Sequence, residues 1–241
     1  MLTASAYSAL EMRPVADVIR PELFETLRGI DTPTLANAIE HFKVRDRTEG
    51  YVGLDIRCMF PDLGTMMGYA LTIEADSTTP GPVPSREAFL AVWDALAKAP
   101  KPAVLVFKDV SPEPNRGCHF GEVMATTALR MGAVGLVTDA AVRDLSEARG
   151  LGFHYFAAGA VCAHGNATFR RIGVPVEISG TTISTGDLIH ADLNGVLVIP
   201  TQVAEELPAA VERVRVRERH VMDFINGPDF DVDKLREIFS H

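Results

Sequence analysis

The chain has 241 residues, with 23 Lys and Arg against 32 Asp and Glu, for a net charge of −9. That balance argues against a general nucleic-acid binder, which needs a basic footprint, and against a polybasic membrane anchor. A composition 47 % hydrophobic and 23 % charged belongs to a soluble globular protein and excludes a disordered one.

In chain order, residues 1–31 read as a lead-in with one helix over 14–28, closed by Gly29. Residues 1–14 lack a basic segment followed by an apolar run, so no signal peptide is expected. Asp31-Thr32-Pro33-Thr34 is a helix start, with Thr32 as the cap and Pro33 in the first helical position. The helix then runs over 34–42, with Leu35, Ala38, Ile39 and Phe42 at helical spacing. Residues 44–66 read as irregular, and 68–74 alternate like a strand. A Pro/Gly-rich loop over 77–84 leads to a helix opened by Ser85 and running to 97.

The middle of the chain is the clearest part. Residues 103–107 (AVLVF) form a short buried strand, and 109–119 a loop with Pro112, Pro114 and Gly117. A helix over 121–131 stops at Gly132, and 133–137 (AVGLV) is a second buried strand. Strand, helix and strand with short connections predict a parallel crossover. A short helix to Arg149 and a strand near 153–157 follow. Short strands over 174–178, 181–184, 188–191 and 195–199 are separated by turn pairs such as Asn194-Gly195, and predict an antiparallel meander. Thr201 is read as the cap of a long helix to about 225, and a final helix covers 231–239. The layout is one α/β domain with helical N- and C-terminal extensions.

Candidate chemistry sits beside the buried strands. The first turn at Gly121, Glu122, Val123 and Met124 offers free N–H groups and the positive end of a helix dipole, hence an anion site. Read alone, Gly121 also fits the end of a loop. Asp139, Arg143 and Asp144 stand past a buried parallel strand, where ligands bind in open α/β sheets. A guanidinium suits a carboxylate, and a carboxylate suits a hydrated Mg²⁺. Read alone, they also fit a surface ion pair with Asp144 capping a helix. Asp192 and Asn194 read as builders of a hairpin turn, and His119 as a loop residue. Three widely spaced cysteines, Cys58, Cys118 and Cys162, suit a reducing cytoplasm and no disulfide framework. No apolar run approaches the length of a membrane span, and no glycine-rich nucleotide loop is present.

The order of these pieces resembles the RraA-like family. The resemblance rests on Gly121-Glu122-Val123-Met124-Ala125, Gly132-x-x-Gly135-x-Val137-x-Asp139, Val142-Arg143-Asp144, and Ala191-Asp192-x-x-Gly195 running to Pro200. That family holds class II pyruvate aldolases of the 4-hydroxy-4-methyl-2-oxoglutarate type and relatives named as regulators of ribonuclease activity. The resemblance implies a swivelling β/β/α-type core over 32–203, flanked by 1–31 and 204–241. It implies a homotrimer or homohexamer with sites at subunit boundaries. It implies a divalent-metal-dependent lyase acting on a small 2-keto acid through a pyruvate enolate, by retro-aldol cleavage or oxaloacetate decarboxylation. Gly121, Glu122, Val123, Met124 and Arg143 would then bind substrate, Arg143 and Asp144 would be catalytic, and Asp144 would bind Mg²⁺ or Mn²⁺. The alternative within the same resemblance is a non-catalytic module that regulates a ribonuclease.

Overall fold

A computed structural model describes residues 18–81 and 86–239. Two helices lead in, α1 (Pro21–Arg28) and α2 (Thr32–Glu40), followed by a short edge strand, β1 (Arg57–Cys58). Strand and helix then alternate: β2 (Met66–Asp76), α3 (Arg86–Lys98), β3 (Ala103–Asp109), α4 (Glu122–Arg130), β4 (Ala133–Val142), α5 (Leu145–Gly150) and β5 (His154–Ala160). Strands β2 to β5 pair in parallel, in sequence order. Each crossover is a helix, as parallel pairing requires. The strands are near-continuous apolar runs because both faces are covered. Leu71, Leu105, Phe107, Leu136 and Tyr155 pack in the cluster that holds the α3 and α4 residues. Ala70, Val104, Val106, Val137 and Phe156 pack in a separate cluster.

The predicted meander is divided between two sheets. The hairpin of β7 (Val176–Ile178) and β8 (Thr181–Ile183) stands alone. It packs Val176, Ile178 and Ile183 into the second cluster. The hairpin of β9 (Leu188–Asp192) and β10 (Gly195–Ile199) instead extends the main sheet beyond β2. Strand β6 (Thr168–Ile172), which sequence patterning did not reveal, pairs antiparallel with β2. The reason is length. Strand β2 has 11 residues, and its free edge takes β9 along Met66–Tyr69 and β6 along Ile73–Asp76.

Residues 50–58, expected to be irregular, join the two edges of this sheet. The Val52 N–H donates to Val196 O at 2.9 Å and the Val198 N–H to Gly50 O at 2.8 Å. Farther on, Arg57 and Cys58 pair with β5. The eight-stranded sheet is thereby curled toward a barrel with little open edge. The chain ends in α6 (Leu207–Asn226) and α7 (Val232–Phe239). Leu23, Leu27, Leu35, Ile39, Leu207 and Val211 form a third cluster that seats α1, α2 and α6 together.

Three predicted helix starts shift. Helix α1 opens at Pro21, with residues 18–20 extended or irregular. The predicted portion over 14–17 lies outside the described residues, as do the stretch read for a signal peptide and the Ser85 helix start. Asp31, not Thr32, caps α2, its carboxylate accepting the Thr34 N–H at 2.9 Å. Thr32 is inside the helix; its hydroxyl lies 2.9 Å from His190 Nδ1 and its N–H donates to Asp192 Oδ2 at 2.9 Å. Asp192 therefore anchors α2 as well as its own turn, where Oδ1 accepts the Asn194 N–H. A 3₁₀ turn over Thr201–Glu206 precedes α6, and Thr201 makes no capping bond.

His190 gives the fold a pH dependence. It is fully buried, and no well-aligned hydrogen bond reaches its Nε2 among the described residues. Burial holds its pKa down at about 4, against the opposing pull of Asp192. The folded value lies below that of a free imidazole, about 6.5. Stability is therefore complete above about pH 6.5 and declines as the pH falls toward 4. The full effect is on the order of 3 kcal/mol, with roughly 2 kcal/mol gone by pH 5. Urea unfolding at pH 7 and pH 5 should show this loss, and His190→Gln should reduce it by more than half. A variant as steep as the wild type would remove His190 as its source.

Candidate functional site

The chain after β3 returns alongside β4. Cys118 bridges to Ala141, and the Arg143 N–H donates to Phe120 O at 3.1 Å. Helix α4 begins immediately afterwards, with Gly121 as its extended N-cap residue and no side chain of its own to cap it. The first turn of α4 and the residues leaving β4 thus lie side by side, at the carboxyl ends of two parallel strands. Open α/β sheets bind ligands in such a place.

Asp144 holds the junction together. Its φ is 55°, in the left-handed region that Asp tolerates better than most residues. Although it precedes α5, its side chain does not cap that helix. Its Oδ2 instead accepts the Glu122 N–H at 2.9 Å and lies 3.5 Å from Arg143 Nε. No hydrogen bond to Oδ1 is present among the described residues. Gly121 makes this approach possible. A Cβ there would lie 2.4 Å from Asp144 Oδ2 and 3.0 Å from Arg143 Nε.

A pocket of about 420 Å³ opens at this junction. Gly121, Val123, Met124 and Arg143 line it, together with Ala88, Phe89, Phe120 and Phe169. Glu122 and Asp144 do not line it but adjoin it through their neighbours and through their mutual hydrogen bond. Among the described residues, the ionisable side chains on its walls are Arg86, Arg143, His119, His164 and the Cys118 thiol, and no carboxylate is among them. An acidic chain has placed basic groups around one cavity.

His119 is more than a loop residue. It is 5 % exposed, and its Nε2 lies 3.1 Å from Asp109 Oδ2, off the line of a hydrogen bond, so both ring nitrogens lack an aligned partner. Asp109 also accepts from the Ser77 hydroxyl and from the Ser111 N–H at 2.7 Å. Burial pushes the Asp109 carboxyl up, but His119, Ser77 and Ser111 together outweigh it and hold the pKa at about 2. Ser77, Asp109 and His119 come from three separate segments, and no spacing motif joins them. Asp139, read as standing past a strand end, lies within β4, which runs on to Val142. It pairs with Lys108 and accepts the Asp109 N–H at 2.8 Å, so it belongs with β3 and not with Arg143.

The donor set fits one kind of metal site. Among the described residues no three His, Cys, Asp or Glu side chains converge on a point. The Asp144 carboxylate is about one-third exposed, with Oδ1 uncommitted. A hard cation that keeps most of its water and takes one carboxylate plus substrate oxygens suits it, as Mg²⁺ does. A preformed protein cage of the zinc type does not.

Comparison with known proteins bears on the same region. The family model described as RraA-like, Aldolase/RraA, matches residues 27–198. Protein DlpA of Legionella pneumophila is 33 % identical over 140 residues, covering 56 % of this chain and 22 % of that protein. A protein of Halalkalibacterium halodurans named "Putative 4-hydroxy-4-methyl-2-oxoglutarate aldolase" is 32 % identical over 139 residues, covering 56 % of this chain and 65 % of its own. The match thus spans less than two thirds of each of these relatives. Among solved structures, an uncharacterized protein from Pseudomonas syringae superposes with a TM-score of 0.70 at 22 % identity, over 92 % of this chain and 95 % of that one. Streptomyces coelicolor RraAS2, described as an unusual member of the RNase ES inhibitor RraA protein family, gives 0.65 at 24 % identity, over 86 % and 98 %. At these identities the superpositions establish the fold. No helix among the described residues is long and apolar enough to cross a membrane.

Proposed function

Because the chain belongs to the RraA-like family, we propose that it is a divalent-metal-dependent lyase acting on a small 2-keto acid. The core over 32–203 carries the reaction, which is retro-aldol cleavage of a 4-hydroxy-2-oxo acid to pyruvate, or decarboxylation of oxaloacetate. One observation carries this reading: the first turn of α4, Arg143 and Asp144 converge beside a pocket whose described lining carries two arginines and no carboxylate.

The residues divide the work. The Glu122 N–H is committed to Asp144. The Val123 and Met124 N–H groups have no partner within the helix and lie at its positive end, where they hold the substrate carboxylate. Arg143 lines the same pocket and stabilises negative charge as it develops on the keto oxygen. Asp144 would hold Mg²⁺ or Mn²⁺, which supplies Lewis-acid polarisation of that oxygen when bound. In cleavage, the C4 hydroxyl gives up its proton and the C3–C4 bond breaks. The electron pair passes to the enolate of pyruvate, and a proton then adds at C3. In decarboxylation the same enolate forms as CO₂ leaves.

The full chain with Mg²⁺ or Mn²⁺ should release pyruvate from 4-hydroxy-4-methyl-2-oxoglutarate or oxaloacetate in a coupled assay. EDTA should abolish the release, and added metal should restore it. No pyruvate from any such acid with metal present would sink the lyase reading and favour a non-catalytic ribonuclease-regulating module. The proposal includes a homotrimer or homohexamer in the cytoplasm, without nucleic acid or membrane as partner. Cys58, Cys118 and Cys162 are all free thiols, which suits a reducing compartment.

A further inference from the structure

The pocket is much larger than the head of its proposed substrate. Pyruvate has six heavy atoms, whereas about 420 Å³ is the liquid volume of roughly fourteen waters at ~30 Å³ each. The walls beyond Arg143 and the α4 turn are largely apolar: Ala88, Phe89, Phe120, Val123, Met124 and Phe169. Phe89 and Phe169 lie with ring centroids 6.3 Å apart, and Phe169 packs onward against Phe107 at 5.6 Å with the ring planes tilted by 59°. Phe89 is 38 % exposed and Val123 74 %. These are large apolar surfaces left open to a cavity, where a ligand would remove them from water. Of the remaining polar lining, His164 Nδ1 is engaged with Gly165 O at 2.7 Å, and His119 lies against Asp109. Among the described residues, that leaves Arg86 as the further arginine on the walls for a second carboxylate.

We infer that this site takes 2-oxo acids whose far end is an apolar or aromatic group, seated against the exposed faces of Phe89 and Val123, in preference to a second carboxylate. The inference rests on the lyase reading for the chemistry at the head of the substrate, and on the pocket walls alone for the tail. For a phenyl tail the balanced reaction is cleavage of 4-hydroxy-2-oxo-4-phenylbutanoate to pyruvate and benzaldehyde. The C3–C4 bond breaks, the C4 hydroxyl proton is lost, and C3 gains a proton; no oxidant or reductant is required.

The test has two arms, both using the full chain with Mg²⁺. The binding arm titrates 2-oxo-4-phenylbutanoate against 2-oxoglutarate, which share a 2-oxo acid head and do not undergo this cleavage. The phenyl acid should bind on the order of tenfold more tightly or better, and Phe89→Ala should erase most of that advantage. The cleavage arm compares pyruvate release from 4-hydroxy-2-oxo-4-phenylbutanoate and 4-hydroxy-4-methyl-2-oxoglutarate, and the phenyl substrate should have the higher kcat/KM. Equal or tighter binding of 2-oxoglutarate, or binding of neither acid, overturns the tail inference. Preferred binding of the phenyl acid with no pyruvate from either substrate overturns the lyase reading and leaves the tail preference standing.

Discussion

Gly121→Ala should silence pyruvate release while leaving the protein folded. The added methyl would lie 2.4 Å from Asp144 Oδ2 and 3.0 Å from Arg143 Nε, both too close for contact. The obstacles are side-chain and not backbone atoms, the Asp144 carboxylate oxygen and the Arg143 stem, so they can move and the fold can survive. Overpacking of this kind costs about 1–3 kcal/mol. What cannot survive is the alignment. Moving the carboxylate breaks its bond to the Glu122 N–H and displaces the guanidinium from the helix start. Misplacement by about 1 Å can lower a rate roughly 10²-fold, and a loss of at least that size in kcat/KM is expected. Thermal unfolding and the coupled assay, run on the same preparation, separate the two effects. A Gly121→Ala enzyme with more than a tenth of wild-type activity would show that the contact between α4 and Asp144 is structural only.

Asp144→Asn should give the second large effect, and it separates charge from shape. The amide oxygen can still accept the Glu122 N–H, so the junction and its left-handed turn should persist. Asn is also among the residues that tolerate φ near 55°. The negative charge that would hold a cation is gone. Metal-dependent turnover should fall on the order of 10²-fold or more, and the metal concentration for half-maximal activity should rise at least about tenfold. The unfolding temperature without metal should change by only a few degrees. Full metal-dependent activity in Asp144→Asn would remove Asp144 as the ligand.

Much of this architecture is legible in the sequence, and for a physical reason. AVLVF and AVGLV read as buried strands because each is short, apolar and rich in β-branched residues, and the helix between them supplies the crossover that parallel pairing needs. Gly121, Arg143 and Asp144 stand out because each follows directly from those elements. The parts that sequence patterning misses depend on partners far along the chain. Strand β6 exists because β2 is long enough to take two neighbours on one edge. Asp31 displaces Thr32 as the cap because Thr32 is drawn to His190 and Asp192, about 160 residues away. The Ser77–Asp109–His119 cluster has no local spacing, since only the fold brings its three segments together. Asp139 is misplaced because β4 continues five residues beyond its apolar run, through an irregular register between Thr138 and Ala141.

The strap over residues 50–58 also sets an order of events during synthesis. Its partners, Val196 and Val198 at one edge and Phe156 and Ala157 at the other, emerge from the ribosome more than a hundred and roughly a hundred residues later. Until then both edges of the growing sheet are open to other chains. Closure is therefore among the last steps, and every described residue that lines the pocket at Arg143 is already out of the ribosome before the sheet that carries it can be sealed.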